Sequence, residues 1–175
     1  REPLIRMMHV CRAMNLLSWR TDGVFHITKI QEDINQYPYE SPSVFNFYLP
    51  DHQPNGMIRE RGLYAPVLQI VDDVTAVKTA NVFLELSRYG LRNNISGGGN
   101  NVRGGLNLNY EISLATNVDT LLEHLDLVLT AGRLTEVSRT AIRTAVLALP
   151  VSDAEGRARR AIALITTTPE FAILQ

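Results

Sequence analysis

The chain has 175 residues, 45% hydrophobic and 20% charged, a balance that excludes an intrinsically disordered protein and leaves room for a sizeable core. Its net charge of −1 creates no field that would draw it to nucleic acid or to an anionic membrane. A lone cysteine, Cys11, excludes an internal disulfide, and no apolar run reaches the ~18 residues of a membrane-spanning helix.

Residues 2–17 read as a helix. Pro3 suits a first turn, where its missing N–H costs nothing, and Leu4, Met7, Met8, Cys11 and Met14 recur at helical spacing. The opening Arg1-Glu2-Pro3 lacks an initiator Met and starts inside a helix signal, as expected for a segment of a longer chain. Thr28 and Gln31 form a capping-box pattern ahead of Ile30 and Ile34. From 37 to 66 the chain reads as an irregular loop broken by Pro38, Pro42, Pro50, Pro54 and Pro66. Its rings (Tyr37, Tyr39, Phe45, Phe47 and Tyr48) predict a loop pinned to a core, with Phe45 and Phe47 inward and Asn46 and Tyr48 outward.

Residues 73–89 read as a helix apolar almost all round, which predicts a central position and a buried Asn81. Asp72-Asp73 read as its cap and Gly90 as its terminator. Residues 91–109 read as a flexible Gly/Asn loop, with the alternation of Leu106, Leu108 and Tyr110 suggesting extended chain returning to the core. A carboxy-terminal three-helix subdomain follows over 117–175. Asn117 caps a helix ending at Gly132. Thr135 caps a second, with Val137, Ala141, Ala145 and Leu149 inward and Pro150 as its end. Ser152 and Glu155 form a capping box for a third, lined by Ala154, Ala158, Ala161, Ile162 and Ile165, and Thr168-Pro169 opens a final turn anchored by Phe171 and Leu174. The predicted fold class is mostly α: one domain over 1–175, an irregular helical bundle carrying a long proline/aromatic-rich loop.

The series Ser41-Pro42-Ser43-Val44-Phe45-Asn46-Phe47-Tyr48, Pro50-Asp51, Pro54-Asn55-Gly56 and Gly62-Leu63-Tyr64-Ala65-Pro66 resembles the carboxy-terminal half of the domain of unknown function 1800 family. The opening helix, Leu106-Asn107-Leu108-Asn109-Tyr110, Leu129-Thr130-Ala131-Gly132 and Thr168-Pro169-Glu170-Phe171 are similar to that family in the same order. The resemblance implies a long, exported, mostly helical bacterial protein, periplasmic or secreted, often encoded beside a secreted sulfatase-like protein, with no agreed activity.

Candidate chemistry is sparse. His9, His26, His52 and His124 lack metal-ligand spacing, His9 and Cys11 diverge on a helix at i, i+2, and no metal or cofactor is expected. His124 reads as solvated. Asp51-His52 offers acid–base chemistry near neutral pH, or simply a turn after Pro50. Gly97-Gly98-Gly99 lacks the following Lys of a phosphate loop, and Asp72-Asp73 would need further oxygens to hold calcium. Arg157, Arg159 and Arg160 read as a solvated, mildly basic helix face. Fifteen of the 17 basic residues are arginine, which reads as the imprint of a GC-rich genome.

The aromatic loop could also form a sugar-stacking platform. Asn46, Tyr48, Asp51 and His52 are therefore the candidate ligand-binding residues. The leading functional reading is a non-catalytic interaction or scaffold module that packs against the amino-terminal part of the same protein. The rival is part of a polysaccharide-directed hydrolase whose cleft needs that other part. A secreted sulfatase-like protein and a glycan are the further partners considered. An enzyme predicts a carboxylate–His pair converging in a cleft; a module predicts a large apolar surface.

Overall fold

A computed structural model describes residues 1–18, 33–92 and 102–173. The capping box at Thr28–Gln31, the glycine run at 97–99 and Leu174 lie outside those residues. Among the described residues the fold is mostly α.

Helix α1 (Pro3–Ala13) starts on the proline and buries Pro3, Met7, Val10 and Cys11; of the stripe its spacing predicts, Met7, Cys11 and Met14 are buried, Leu4 is half-buried and Met8 is exposed. Its N-cap, Glu2, makes no capping bond with its own side chain. The buried Gln36 does that work from a distance, accepting from the Leu4 N–H at 2.9 Å. The short strand β1 (Leu17–Ser18) follows.

Within the proline-rich loop lie a single turn, α2 (Met57–Glu60), and a 3-10 turn over Pro66–Ile70. Helix α3 (Asp73–Tyr89) has the boundaries its sequence predicts. Asp72 accepts from the Thr75 N–H while the Thr75 hydroxyl accepts from the Asp72 N–H, a reciprocal cap. The helix is not central, however. It buries Thr75, Thr79, Val82, Phe83, Leu86 and Ser87, and Asn81 is exposed. The hydrophobic run could not show that Val82, Phe83 and Leu86 face the core while Val74, Val77 and Leu84 face out.

Gly90 ends α3 at φ 77° and feeds β2 (Leu91–Arg92). Strand β3 (Val102–Gly105) pairs antiparallel with both β1 and β2, giving the order β1-β3-β2. The Gly/Asn composition of 91–109 predicts a flexible loop, yet its described part carries the paired strand β3; Leu106 and Leu108 are buried, as their alternation predicts. Instead of extended chain at 109–110, helix α4 (Asn109–Leu114) begins there.

Asn117 caps α5 (Val118–Leu125), which buries Val118, Leu121, Leu122 and Leu125 and widens into a π-helical turn at Asp126–Thr130. Ala131 and Gly132 then stop it in the left-handed region. Buried Asp126 organises the turn: its carboxylate accepts from the Leu134 N–H, the Thr130 hydroxyl and the Arg139 guanidinium, the last at 2.6 Å. Helix α6 (Glu136–Leu147) is capped by Thr135 as expected, but buries Ile142 and Val146. Val137 is 81% exposed and Ala141 is exposed, because α6 turns its more strongly apolar edge inward.

Helix α7 (Ala154–Thr166) packs against α3, α4, α5 and α6 and so forms the centre of the bundle. Ala158, Ala161, Ile162 and Ile165 are fully buried, the alanines allowing close approach. Its cap is Asp153, accepting from the Gly156 N–H, and not Ser152. Arg157, expected on a solvated face, is only 3% exposed. It donates to the carbonyls of Leu149 and Ala115 and ties the end of α6 to the end of α4. Helix α8 (Pro169–Ala172), capped by Thr168, buries Phe171 against Phe83.

Candidate functional site

Three places on this frame combine exposure with chemistry. The first is the loop. Leu49 to His52 form a turn closed by the His52 N–H on the Leu49 carbonyl, and the His52 carbonyl accepts from Ala65. Asp51 is exposed and His52 half-buried. Among the described residues no hydrogen bond joins their side chains, and the backbone forms a turn after Pro50.

Asn46 adopts φ 73° opposite Ser43, and its amide reaches the Tyr48 hydroxyl. That hydroxyl donates to Glu2 Oε1 at 2.6 Å, while Glu2 Oε2 accepts from Gln36 Nε2 at 2.7 Å. Burial and the Glu2 carboxylate push the Tyr48 phenol up to about 12. The structure thus gathers Asn46 and Tyr48 but leaves Asp51 and His52 at the following turn. Phe45, expected inward, is 56% exposed. Polar anchors hold the loop in its place: Tyr48 on Glu2, and the Leu49 N–H on Gln69 Oε1 at 2.7 Å.

The second place is a cavity of about 510 Å³ between α4, α5 and α6. His124, expected to be solvated, points its Nε2 at Glu111 Oε1, 3.0 Å away, and meets the Tyr110 ring edge-on. Glu111 is 5% exposed and backs the imidazole, which fixes the ring's orientation. Asp126 and Arg139 also line the cavity, but they are consumed by each other and by the turn.

The third is a cleft of about 570 Å³ between α1, the Pro66–Val71 segment, α3 and the chain end near Ile173. Phe83 and Phe171 meet edge to face at 5.7 Å within the core beneath it. The Arg6 guanidinium lies 5.3 Å from the Phe83 centroid and that of Arg1 lies 5.9 Å from Phe171. Arg6 Nε and Arg1 Nη1 are buried without a hydrogen-bond acceptor among the described residues. Burial lowers the pKa of both groups. Cys11 and His9 build no site: burial pushes the thiol up to about 12, and His9 Nε2 lies 3.0 Å from the Val128 carbonyl.

Arg6 was legible in principle. It lies three residues after buried Pro3 and four before buried Val10, so helical spacing places it at the buried stripe. Glu111 with His124 was not, because nothing local links residues thirteen apart on two helices.

The family model described as protein of unknown function (DUF1800) matches residues 1–173. The chain belongs to the DUF1800 family. That match takes in the loop anchors, the His124 cavity and the arginine cleft of this DUF1800 chain alike. No match was found among the curated proteins or among the solved structures.

Proposed function

We propose that this DUF1800 chain is a non-catalytic interaction module, one helical domain of an exported bacterial protein, and that its partner is the amino-terminal part of the same protein. The observation that carries this reading is the outer face of α3. Val74, Val77 and Leu84 are 60%, 61% and 49% exposed, and they share a face with Asn81. Three aliphatic side chains aligned on one long helix form a contact stripe, unlike apolar residues scattered singly. Exposed Met57, Leu63 and Tyr64 in the neighbouring loop supply further apolar area. Asn46, Tyr48, Asp51 and His52 are the proposed polar contacts at its rim, for the protein partner or for a glycan. A secreted sulfatase-like protein remains the alternative partner.

Co-expression of this chain with the amino-terminal part of the protein tests the reading. The two should co-elute in size-exclusion chromatography, and Val77→Asp with Leu84→Asp should abolish that while leaving the circular dichroism spectrum intact. Co-elution unaffected by the double substitution, or none with the wild type, overturns it.

The rival, part of a polysaccharide-directed hydrolase, draws its support from Glu111 and His124. A carboxylate behind an imidazole that opens on a cavity is the arrangement of a general base. Release of reducing ends from a polysaccharide, lost in His124→Gln, would favour it.

A further inference from the structure

The guanidinium of half-buried Arg6 lies beside the Phe83 ring, and its buried Nε has no acceptor among the described residues. A planar cation in that setting has donors to spare and little water to satisfy them. A second guanidinium, that of Arg1, lines the same cleft with a buried Nη1 likewise unmatched. The remaining wall is mostly aliphatic, including Ile58, Leu68, Val71 and Ala80. We propose that this cleft binds a small aliphatic monocarboxylate, its head on the Arg6 and Arg1 guanidiniums and its hydrocarbon body along that wall.

Carboxylate fits better than phosphate or sulfate for a reason visible in the lining. A guanidinium presents paired N–H groups that match two oxygens in a plane. Further oxygens would need further donors. Thr166 and Thr167, the hydroxyls at the far side, already donate to the Ala163 and Leu164 carbonyls. The volume of about 570 Å³ lies in the range of a single small ligand. The cleft also faces the Ala76, Thr79, Ala80 and Phe83 side of α3, apart from the outward stripe of Val74, Val77 and Leu84. The two proposals therefore stand or fall separately.

Calorimetric titration of the purified protein with hexanoate, 1-hexanol and hexyl sulfate at neutral pH provides the test. Arg6 Nε–H is followed by nitrogen-edited NMR. Hexanoate should saturate one site at least tenfold more tightly than hexanol and shift the Arg6 Nε–H resonance. Arg6→Gln should reduce that preference to within twofold. Ala80→Leu, which fills the cleft and leaves both arginines in place, should weaken hexanoate binding even if Arg6→Gln fails to fold. Equal binding of hexanol, tighter binding of hexyl sulfate, an unmoved Arg6 signal or no saturable binding each overturns the proposal.

Discussion

Tyr48 donates its hydroxyl to Glu2 across 2.6 Å, joining the middle of the proline-rich loop to the start of α1 over 46 positions of sequence. Glu2 also accepts from Gln36, whose own carbonyl oxygen accepts from the Leu4 N–H. One buried amide and one carboxylate therefore cap the first helix and dock the loop together. Tyr48→Phe keeps the ring and removes the donor. It should cost roughly 1 kcal/mol, since the group is partly solvated. Limited proteolysis should then cut within residues 42–50 several times faster than in the wild type. An unchanged cleavage rate would show that the Tyr48–Glu2 bond is not the anchor.

Arg157 is a buried polar side chain whose removal leaves acceptors unpaired. It lies inside the bundle, 3% exposed, and its guanidinium satisfies the Leu149 and Ala115 carbonyls. Arg157→Met retains the apolar stem but orphans those acceptors, so it should destabilise by about 1–3 kcal/mol. Urea denaturation reads this as a lower midpoint at constant slope. A midpoint equal to wild type would mean that water replaces the guanidinium without loss.

Gly90 sits at φ 77° and ψ −168°, a conformation that side chains resist. A Cβ there would lie 2.1 Å from the Gly104 carbonyl oxygen on β3. Gly90→Ala should therefore cost at least about 1–3 kcal/mol from backbone strain alone. It should also part β3 from β2, seen as faster amide exchange at residues 102–105. Retained protection there would contradict the close approach.

Hydrogen bonds from Thr135, with help from Ser138, hold the Glu170 carboxyl down to about 2, well below its ordinary 4.5. A depressed folded-state pKa gives stability that is full above the unfolded value and is lost as pH falls toward the folded one. The link between α8 and the start of α6 should therefore weaken from about pH 5 down to about pH 2. Glu170→Gln should lower the melting temperature at pH 7 and bring it closer to wild type near pH 2. A difference between the two proteins that is constant across that range would exclude Glu170 as a contributor.

The sequence by itself determined where helices begin and end wherever the signal is local. Asp72, Asn117, Thr135 and Thr168 cap the helices they were expected to cap, because a side-chain oxygen reaches N–H groups two or three residues on. The hydrophobic spacing of α5 likewise fixed its inner face, and that of α7 placed Ala158, Ala161, Ile162 and Ile165 inward but missed the buried Arg157 between the same turns. Local pattern failed where it was ambiguous. Helix α3 is apolar on several sides, and only contact with α7 decided that Phe83 and Leu86 go in while Val77 and Asn81 stay out. In α6 the same choice fell to Ile142 and Val146 over Val137 and Ala141.

Tertiary structure alone created the sites. Tyr48 meets Glu2, His124 meets Glu111, and the guanidiniums of Arg1 and Arg6 come to line one cleft although they arise from different turns of chain. No spacing rule reports such meetings, because they depend on how whole helices cross. The sequence set each residue's capacity to donate, accept or carry charge. The way the elements cross decided which of those capacities would be satisfied and which, as at Arg6 Nε, would be left open among the described residues.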